Sequence, residues 1–415
     1  MLNLVSGWGC RCYAGPGTPP AFFCVGPGVN CAPLQVRGGA VNWDIFCSVV
    51  DNYGDIGVTW RLARQLVAEH GLAVRLWVDE PAAFQRLHPA ADPQADRQVC
   101  AGVEVRRWHR EWPDVAPADG VIEAFACELP AAYVAAMQAR ERPPLWLNLE
   151  YLSAEDWVGG CHGLPSLQAN GLNKFFFFPG FRADTGGLLR EAGLLARREA
   201  WQADRVAQDA FLASLGVVRE AGARLVSLFA YENPALASWL QALAEDTRPT
   251  CLLVPEGRIL GDLAAWVGQD GLVAGDRLQR GNLSLVVLPF VPQDDYDRLL
   301  WCCDFNAVRG EDSFVRAQWA GRPLLWHIYQ QAEDAHLEKL EAFLSLYGEG
   351  LSSEAAQALR GAWLAWNRGG DMGEAWRALV RHEAELQVWA QRWCGLQGSR
   401  QDLAAGMVHF YTNWI

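Results

Sequence analysis

The sequence predicts an α/β fold of two domains that face each other across a cleft, followed by a helical tail. Short apolar runs alternate with amphipathic stretches twice along the chain, which is typical of parallel sheets with helical crossovers. The chain has 415 residues, too many for one ordinary core. Because such sheets bind ligands where their strands end, we expect a site in the cleft between the domains.

The first 40 residues differ from the rest of the chain. They are rich in glycine and proline and show neither helical nor strand periodicity, so we expect residues 1–40 to be a disordered leader or sequence upstream of a misplaced start. Their cysteines match no Cys-x-x-Cys spacing and have no histidine among them; they are Cys10, Cys12, Cys24 and Cys31. We therefore expect no metal site there.

The first domain is predicted over residues 41–220. An apolar run, Asp44–Val50, predicts a buried strand, and a polar turn separates it from an amphipathic helix. That helix has Val58, Leu62, Leu66 and Val67 on one face and Arg61 and Arg64 on another. Further strands are expected at Ala73–Val78, Val103–Arg107, Gly120–Glu123 and Leu145–Leu149. The aromatic run Asn173–Phe181 and an exposed charged stretch, Gly186–Trp201, are predicted to connect the domains.

The second domain is predicted over residues 221–397. Its expected strands are Arg224–Phe229, Thr250–Val254, Leu283–Leu288 and Phe305–Val308, and its expected helices are Pro234–Ala244, Tyr296–Cys303 and one opening at Phe314–Trp319. The chain is predicted to be almost wholly helical from about residue 333. A last helix, in residues 398–415, is expected to pack back on the first domain.

Charge and hydropathy exclude several classes of protein. The chain carries 35 basic and 48 acidic residues, a formal charge of −13, which argues against a general nucleic-acid binder. An acidic surface suits a basic protein partner, although many enzymes are simply acidic. No run of about eighteen apolar residues predicts a membrane span, and no signal peptide is evident, so we expect a cytoplasmic protein.

Two short acidic clusters follow predicted strands. The first contains Asp51 and Asp55 with Gly54 and Gly57 around them, and its carboxylates could act as general base or orient a nucleophile. The alternative is that Asp55 caps the helix. The loop lacks the Gly-x-Gly-x-x-Gly pattern of a dinucleotide site, which excludes an NAD-dependent oxidoreductase.

The second cluster is Arg309-Gly-Glu-Asp-Ser313, between a short strand and a helix. Free amides at the start of a helix, a serine hydroxyl and an arginine are suited to hold a diphosphate. Here the alternative is capping by Asp312 or Ser313. Aromatic and amide side chains at other strand ends could bind a flat base, although each is more often a core residue; they are Phe229, Tyr231, Phe290 and Gln293.

Two long motifs carry a family resemblance. Asp44-Ile-Phe-Cys-Ser-Val-Val-Asp-Asn-Tyr-Gly-Asp-Ile-Gly-Val-Thr-Trp-Arg and Arg309-Gly-Glu-Asp-Ser-Phe-Val-Arg-Ala-Gln-Trp-Ala-Gly-Arg-Pro-Leu-Leu-Trp resemble the bacterial protein-arginine rhamnosyltransferases, often called EarP. The resemblance runs from about Trp43 to the C-terminus. It implies the GT-B fold, with two Rossmann-like domains, and inverting transfer of L-rhamnose from dTDP-β-L-rhamnose to an arginine of translation elongation factor P. That modification supports translation of polyproline stretches.

The resemblance also implies roles for individual residues. Asp51, Asp55 and Glu311 match the catalytic positions of the family. The positions implied for donor binding are Tyr53, Gly54, Phe229, Tyr231, Phe290, Gln293, Arg309, Asp312, Ser313 and Tyr329. No metal or other cofactor is expected, since we find no convincing Asp-x-Asp diphosphate clamp. Asp55 is the preferred general base, but the sequence does not decide between it and Asp51.

Two alternatives remain open at this stage. The chain could be another GT-B transferase that uses a different sugar nucleotide or a small acceptor. It could also be a non-catalytic protein that keeps the fold to bind elongation factor P, which the intact acidic residues argue against.

Overall fold

The computed structural model of the chain describes residues 35–36, 39–49, 53–109, 111–112, 114–331 and 334–415. A short antiparallel ladder opens this part, formed by β1 (Gln35–Val36) and β2 (Gly39–Ala40). These four residues belong to the expected leader and have regular structure. The rest of residues 1–40, including the four leader cysteines, lies outside the described residues.

The first domain is built on an eight-stranded sheet within the described residues. In chain order, its strands are β3 (Asn42–Cys47), β4 (Ala73–Val78), β5 (Arg97–Cys100), β6 (Val103–Arg107), β7 (Gly120–Ala124), β8 (Leu145–Leu149), β9 (Pro165–Leu167) and β10 (Asn173–Phe177). In space the order is β5-β6-β4-β3-β7-β8-β10-β9, parallel except at the two edge pairs, β5 with β6 and β9 with β10. Its helices are α1 (Gly54–His70), α2 (Pro81–Leu87), α3 (Ala131–Gln138) and α4 (Trp157–Cys161).

The second domain has a six-stranded sheet in the described part of the chain. The strands are β11 (Arg224–Leu228), β12 (Thr250–Pro255), β13 (Arg277–Arg280), β14 (Leu283–Leu288), β15 (Phe305–Arg309) and β16 (Leu324–His327). Their order is β13-β14-β12-β11-β15-β16, with β13 antiparallel to β14. Two helices, α5 (Leu194–Ala203) and α6 (Arg205–Ser214), precede the sheet. Along the chain, four helices lie between its strands: α7 (Leu236–Glu245), α8 (Leu260–Val267), α9 (Gln293–Cys302) and α10 (Asp312–Trp319).

The tail is helical, as the sequence predicts. Its helices are α11 (Ala335–Gly348), α12 (Ser353–Arg368), α13 (Met372–Leu379), α14 (Glu383–Gly398) and α15 (Leu403–Trp414). Three tryptophans of this region, Trp363, Trp366 and Trp376, are fully buried core residues. Helix α15 returns to the first domain, where Tyr411 packs on Trp43 with ring centroids 5.6 Å apart. No helix in the described residues is long and apolar enough to cross a membrane.

Two expectations about the connection between the domains are wrong. The aromatic run is part of the first sheet, because Asn173–Phe177 pairs in parallel with β8. The stretch Gly186–Trp201 is not uniformly exposed, because Leu188, Leu189 and Leu194 are buried. The stretch contains many charged residues, so its sequence does not reveal the three leucines that pack it against the domains.

Candidate active site

The two acidic clusters lie at equivalent places in the two sheets. The described part of the first cluster, Tyr53 to Asp55, opens α1 after β3, and the second joins β15 to α10. Gly310 turns the chain between strand and helix with φ of 61°, a left-handed conformation that favours glycine. Because both connections leave the carboxyl ends of parallel strands, both clusters open toward the cleft between the domains.

A buried ionic network joins helix α1 of the first domain to the second cluster across the domain interface. Arg61 of α1 has no exposed surface, and its Nε lies 2.9 Å from Oδ1 of Asp312. Its Nη2 lies 3.0 Å from Oδ1 of Asp297 on α9. Arg316 of α10 also pairs with Asp297 and lies 2.8 Å from Glu191 in the interdomain connection. The face of α1 that carries Arg61 therefore packs against the second domain.

A close backbone approach accompanies this network. Gln293, at the start of α9, donates its Nε2 to the Gly57 carbonyl at 3.0 Å and to Oδ2 of Asp312 at 3.2 Å. A Cβ atom at Gly57 would lie 3.2 Å from Gln293 Nε2 and 3.3 Å from Asp312 Oδ2. Gly57, which lies inside α1, therefore serves the contact between the domains.

The first cavity lies where the two domains meet, and its space, open mouth included, is about 580 Å³. Both domains contribute to its wall. The lining residues are Tyr53, Gly54, Leu87, Phe229, Pro255, Phe290, Val291, Gln293, Tyr296, Arg309, Gly310, Glu311, Asp312 and Ser313. Tyr53 of the first domain packs on Phe290 of the second with ring centroids 5.0 Å apart. Nine residues that the sequence predicts for the site thus line one cavity: Tyr53, Gly54, Phe229, Phe290, Gln293, Arg309, Glu311, Asp312 and Ser313.

Two aromatic rings hold the Arg309 guanidinium in this wall. Its central carbon lies 4.7 Å from the ring centroid of Phe229 and 4.6 Å from that of Tyr231. Such distances are those of cation–π contacts. The sequence predicts that these rings contact a flat base, whereas in the structure both contact Arg309. Their contact with a base stays a prediction.

The second cavity, of about 670 Å³, adjoins the first. The two share Gly54, Gly310 and Glu311. The other lining residues are Asp55, Val58, Phe125, Tyr151, Trp326, Ile328, Tyr329, Gln331 and Lys339. Asp55 is buried, and Glu311 accepts a hydrogen bond from the Leu152 amide of the first domain at 3.0 Å. Asp55 and Glu311, two of the predicted catalytic residues, therefore both line the second cavity.

Burial shifts the pKa values of two side chains near Arg309. His327 is the register partner of Arg309 on the neighbouring strand, and burial followed by the charge of Arg309 lowers its pKa to about 3. It is therefore neutral at physiological pH and adds no positive charge beside the guanidinium. Burial also raises the pKa of the Tyr296 phenol, which stays protonated.

The remaining sequence predictions have mixed outcomes. Asp51 lies outside the described residues, so its catalytic role stays a prediction. Tyr329 lines the second cavity, and Tyr231 packs on it with ring centroids 5.8 Å apart. The capping alternatives are wrong, because α1 and α10 begin at Gly54 and Asp312, which places Asp55, Asp312 and Ser313 inside helical turns.

Several residues of this region were not predicted. Arg61 lies in the first motif, but the sequence pattern predicts a solvent-facing charge on an amphipathic helix, whereas the structure buries it. Phe125, Tyr151 and Lys339 lie far apart in the sequence and in no motif, yet they line the second cavity. Asp312, assigned to the donor by resemblance, has its carboxylate bound to Arg61. A contact of Asp312 with a donor stays a prediction.

Comparison with known proteins identifies the family of the chain. A sequence profile described as elongation-factor P (EF-P) rhamnosyltransferase EarP matches residues 43–412. Over 374 residues, the chain is 66% identical to a protein-arginine rhamnosyltransferase of Pseudomonas aeruginosa, covering 90% of this chain and 100% of that protein. The chain belongs to the EarP family. A protein-arginine rhamnosyltransferase of Pseudomonas putida is 65% identical over 371 residues, which cover 89% of this chain and 98% of the relative.

A solved structure confirms the fold. It is described as the structural basis for EarP-mediated arginine glycosylation of translation elongation factor EF-P. The similarity has a TM-score of 0.66 at 50% identity and covers 90% of this chain and 99% of that one. The chain is thus a glycosyltransferase of the EarP family with the GT-B fold, as the sequence motifs predict.

Replacing Arg61 by alanine should destabilise the protein strongly. The substitution leaves the buried carboxylates of Asp297 and Asp312 short of a cation, at a cost of about 3–5 kcal/mol in the free energy of unfolding. Urea unfolding followed by tryptophan fluorescence measures it. Arg64→Ala is the matched control, since its partner Asp294 is exposed and that pair contributes less than about 1 kcal/mol. Equal losses in the two variants would contradict a special role for Arg61.

Protonation of Glu191 in this network should lower the free energy of unfolding in acid. Burial favours a raised pKa for Glu191, but Arg316 and Arg61 outweigh it and hold the pKa far below the ordinary 4.5. A lowered folded-state pKa stabilises the protein above pH 4.5 and loses that contribution as the pH falls below it. Urea unfolding from about pH 6 to pH 2.5 should show this loss, and Glu191→Gln should be less stable at neutral pH with a shallower decline. If the free energy of unfolding fell equally steeply with pH in the wild type and in Glu191→Gln, this role of Glu191 would be refuted.

Proposed function

We propose that this chain transfers L-rhamnose from dTDP-β-L-rhamnose to an arginine side chain of translation elongation factor P, with inversion at the anomeric carbon. One observation carries the proposal: two cavities meet at Glu311, with Arg309 and Ser313 in the wall of one and Asp55 in the wall of the other. The relatives named as protein-arginine rhamnosyltransferases and the structure described for EF-P glycosylation support the sugar, the acceptor side chain and the acceptor protein.

The first cavity suits the donor. Arg309, the Ser313 hydroxyl and the amides that open α10 can bind a diphosphate and stabilise the charge on the leaving dTDP. Tyr53 and Phe290 offer aromatic surface for the thymine base, and the buried Oε1 of Gln293 has no hydrogen-bond partner among the described residues. This assignment places the sugar near Glu311, where the cavities join. Transfer without a metal ion is part of the proposal.

The second cavity suits the acceptor. A guanidinium is a poor nucleophile, because its pKa exceeds about 12 and its lone pairs are delocalised. In the proposed step, a guanidinium nitrogen attacks the anomeric carbon from the face opposite dTDP and the carbon–oxygen bond to dTDP breaks. The nitrogen loses its proton to the Asp55 carboxylate as the carbon–nitrogen bond forms. Glu311 and, outside the described residues, Asp51 would orient the guanidinium.

The acceptor also fits the charge of the chain. A formal charge of −13 favours association with a protein surface that presents arginine and other basic residues. An acceptor that works in translation also implies a cytoplasmic enzyme.

Mass spectrometry of elongation factor P tests the proposal directly. Incubation with the enzyme and dTDP-rhamnose should add one deoxyhexose to an arginine, and chelation of divalent metals with EDTA should not prevent it. UDP-sugars and dTDP-glucose in place of the donor are the controls. Transfer from one of them alone would favour another sugar nucleotide, and acceptor binding without any mass gain would favour a non-catalytic binding protein.

Asp55→Ala should abolish transfer and leave dTDP-rhamnose binding nearly unchanged. The substitution removes the proposed base, while the groups assigned to the diphosphate stay in place. Single-turnover rates measure the loss, expected to be about a hundredfold or more, and isothermal calorimetry measures donor affinity. Asp270→Ala, an exposed acid outside both cavities, is the control. A variant that keeps its turnover would remove Asp55 as the base.

A further inference from the structure

A stacked aromatic pair in the second cavity has no part in the proton transfer proposed above. The rings of Phe125 and Tyr151 lie with centroids 4.9 Å apart and planes 25° from parallel. Both line the cavity that also contains Asp55 and Glu311. Aromatic faces beside carboxylates are the surroundings in which proteins bind a guanidinium, because it is planar and weakly hydrated.

A cation of the chain itself already contacts this pair. The ammonium nitrogen of Lys339, on α11, lies over the Tyr151 ring at 5.4 Å from its centroid. The same cation acts on Glu150, the residue before Tyr151: burial raises the pKa of that carboxyl, and Lys339 partly offsets the effect. The Tyr151 ring and the Glu150 carboxylate thus form a site that binds a cation.

Backbone contacts hold both rings in place, and at Phe125 they do so against its local preference. Phe125 and Ala126 follow β7 with φ of 57° and 55°, two successive left-handed residues that are not glycine. Such conformations are unfavourable and persist where the surrounding structure enforces them. Here the Phe125 amide donates to the Leu149 carbonyl at 2.8 Å. On the other ring, the Leu152 amide bound to Glu311 fixes the chain directly after Tyr151.

We propose that the stacked rings of Phe125 and Tyr151 receive the guanidinium of the acceptor arginine, and that the Lys339 ammonium covers the Tyr151 ring until that guanidinium displaces it. The proposal rests on the proposed function and extends it to the recognition of the acceptor. The platform orients the plane of the guanidinium beside Asp55 and Glu311. Lys339 acts as a competing cation, so its removal favours the acceptor.

Steady-state kinetics with the full chain tests the proposal, with elongation factor P varied at saturating dTDP-rhamnose. Tyr151→Leu should raise the KM for the acceptor about 3- to 30-fold, the range expected for a lost cation–π contact, and Tyr151→Phe should retain most of the affinity. Lys339→Met should lower the same KM, and Lys339→Arg, which keeps the cation, should lower it less. Donor affinity from calorimetry should change in none of the four variants.

The outcomes separate this proposal from the function on which it rests. Wild-type enzyme that adds no rhamnose to elongation factor P would overturn the proposed function. Wild-type transfer combined with an unchanged acceptor KM in Tyr151→Leu would overturn the platform alone. A parallel loss of donor affinity would reveal a structural role for the ring. Should Tyr151→Leu not fold, the partly exposed Lys339 still decides, because a raised acceptor KM in Lys339→Met would contradict displacement.

Discussion

The burial of Arg61 between the two domains is the constraint on which the site depends. Its guanidinium satisfies Asp297 and Asp312, and Arg316 and Glu191 complete the network around it. Charges removed from water in this way require their partners at fixed distances, so the network defines how α1 and α10 approach each other. Each of these helices begins at one acidic cluster. Two motifs some 250 residues apart in the chain therefore form one site with two adjoining cavities.

Much of the fold follows from local sequence. Buried parallel strands are mostly apolar runs, which is why Leu145–Leu149 and Leu283–Leu288 are predicted to the residue. The places of the two clusters also follow, because polar residues after such runs lie at the carboxyl ends of strands. Nine of the predicted site residues line the first cavity for this reason.

What the sequence misses depends on contacts between distant segments. The charge of Arg61 looks the same whether water or two carboxylates of another domain surround it. The aromatic run Asn173–Phe177 lacks the pattern of a buried strand because β10 lies next to the edge strand β9, where burial is incomplete. The rings of Phe229 and Tyr231 could face a ligand or a neighbouring cation, and their spacing does not distinguish the two. Tertiary packing decides each case.

The last helix has a consequence for the order of events during synthesis. The core of the first sheet includes Leu403, Met407 and Tyr411, so the domain that is translated first is completed by residues translated after the second domain. Domains of a nascent chain generally fold in order from the N-terminus. Here the surface around Trp43 stays without its natural cover until α15 has left the ribosome. The first domain therefore reaches its final core only after the second has been made.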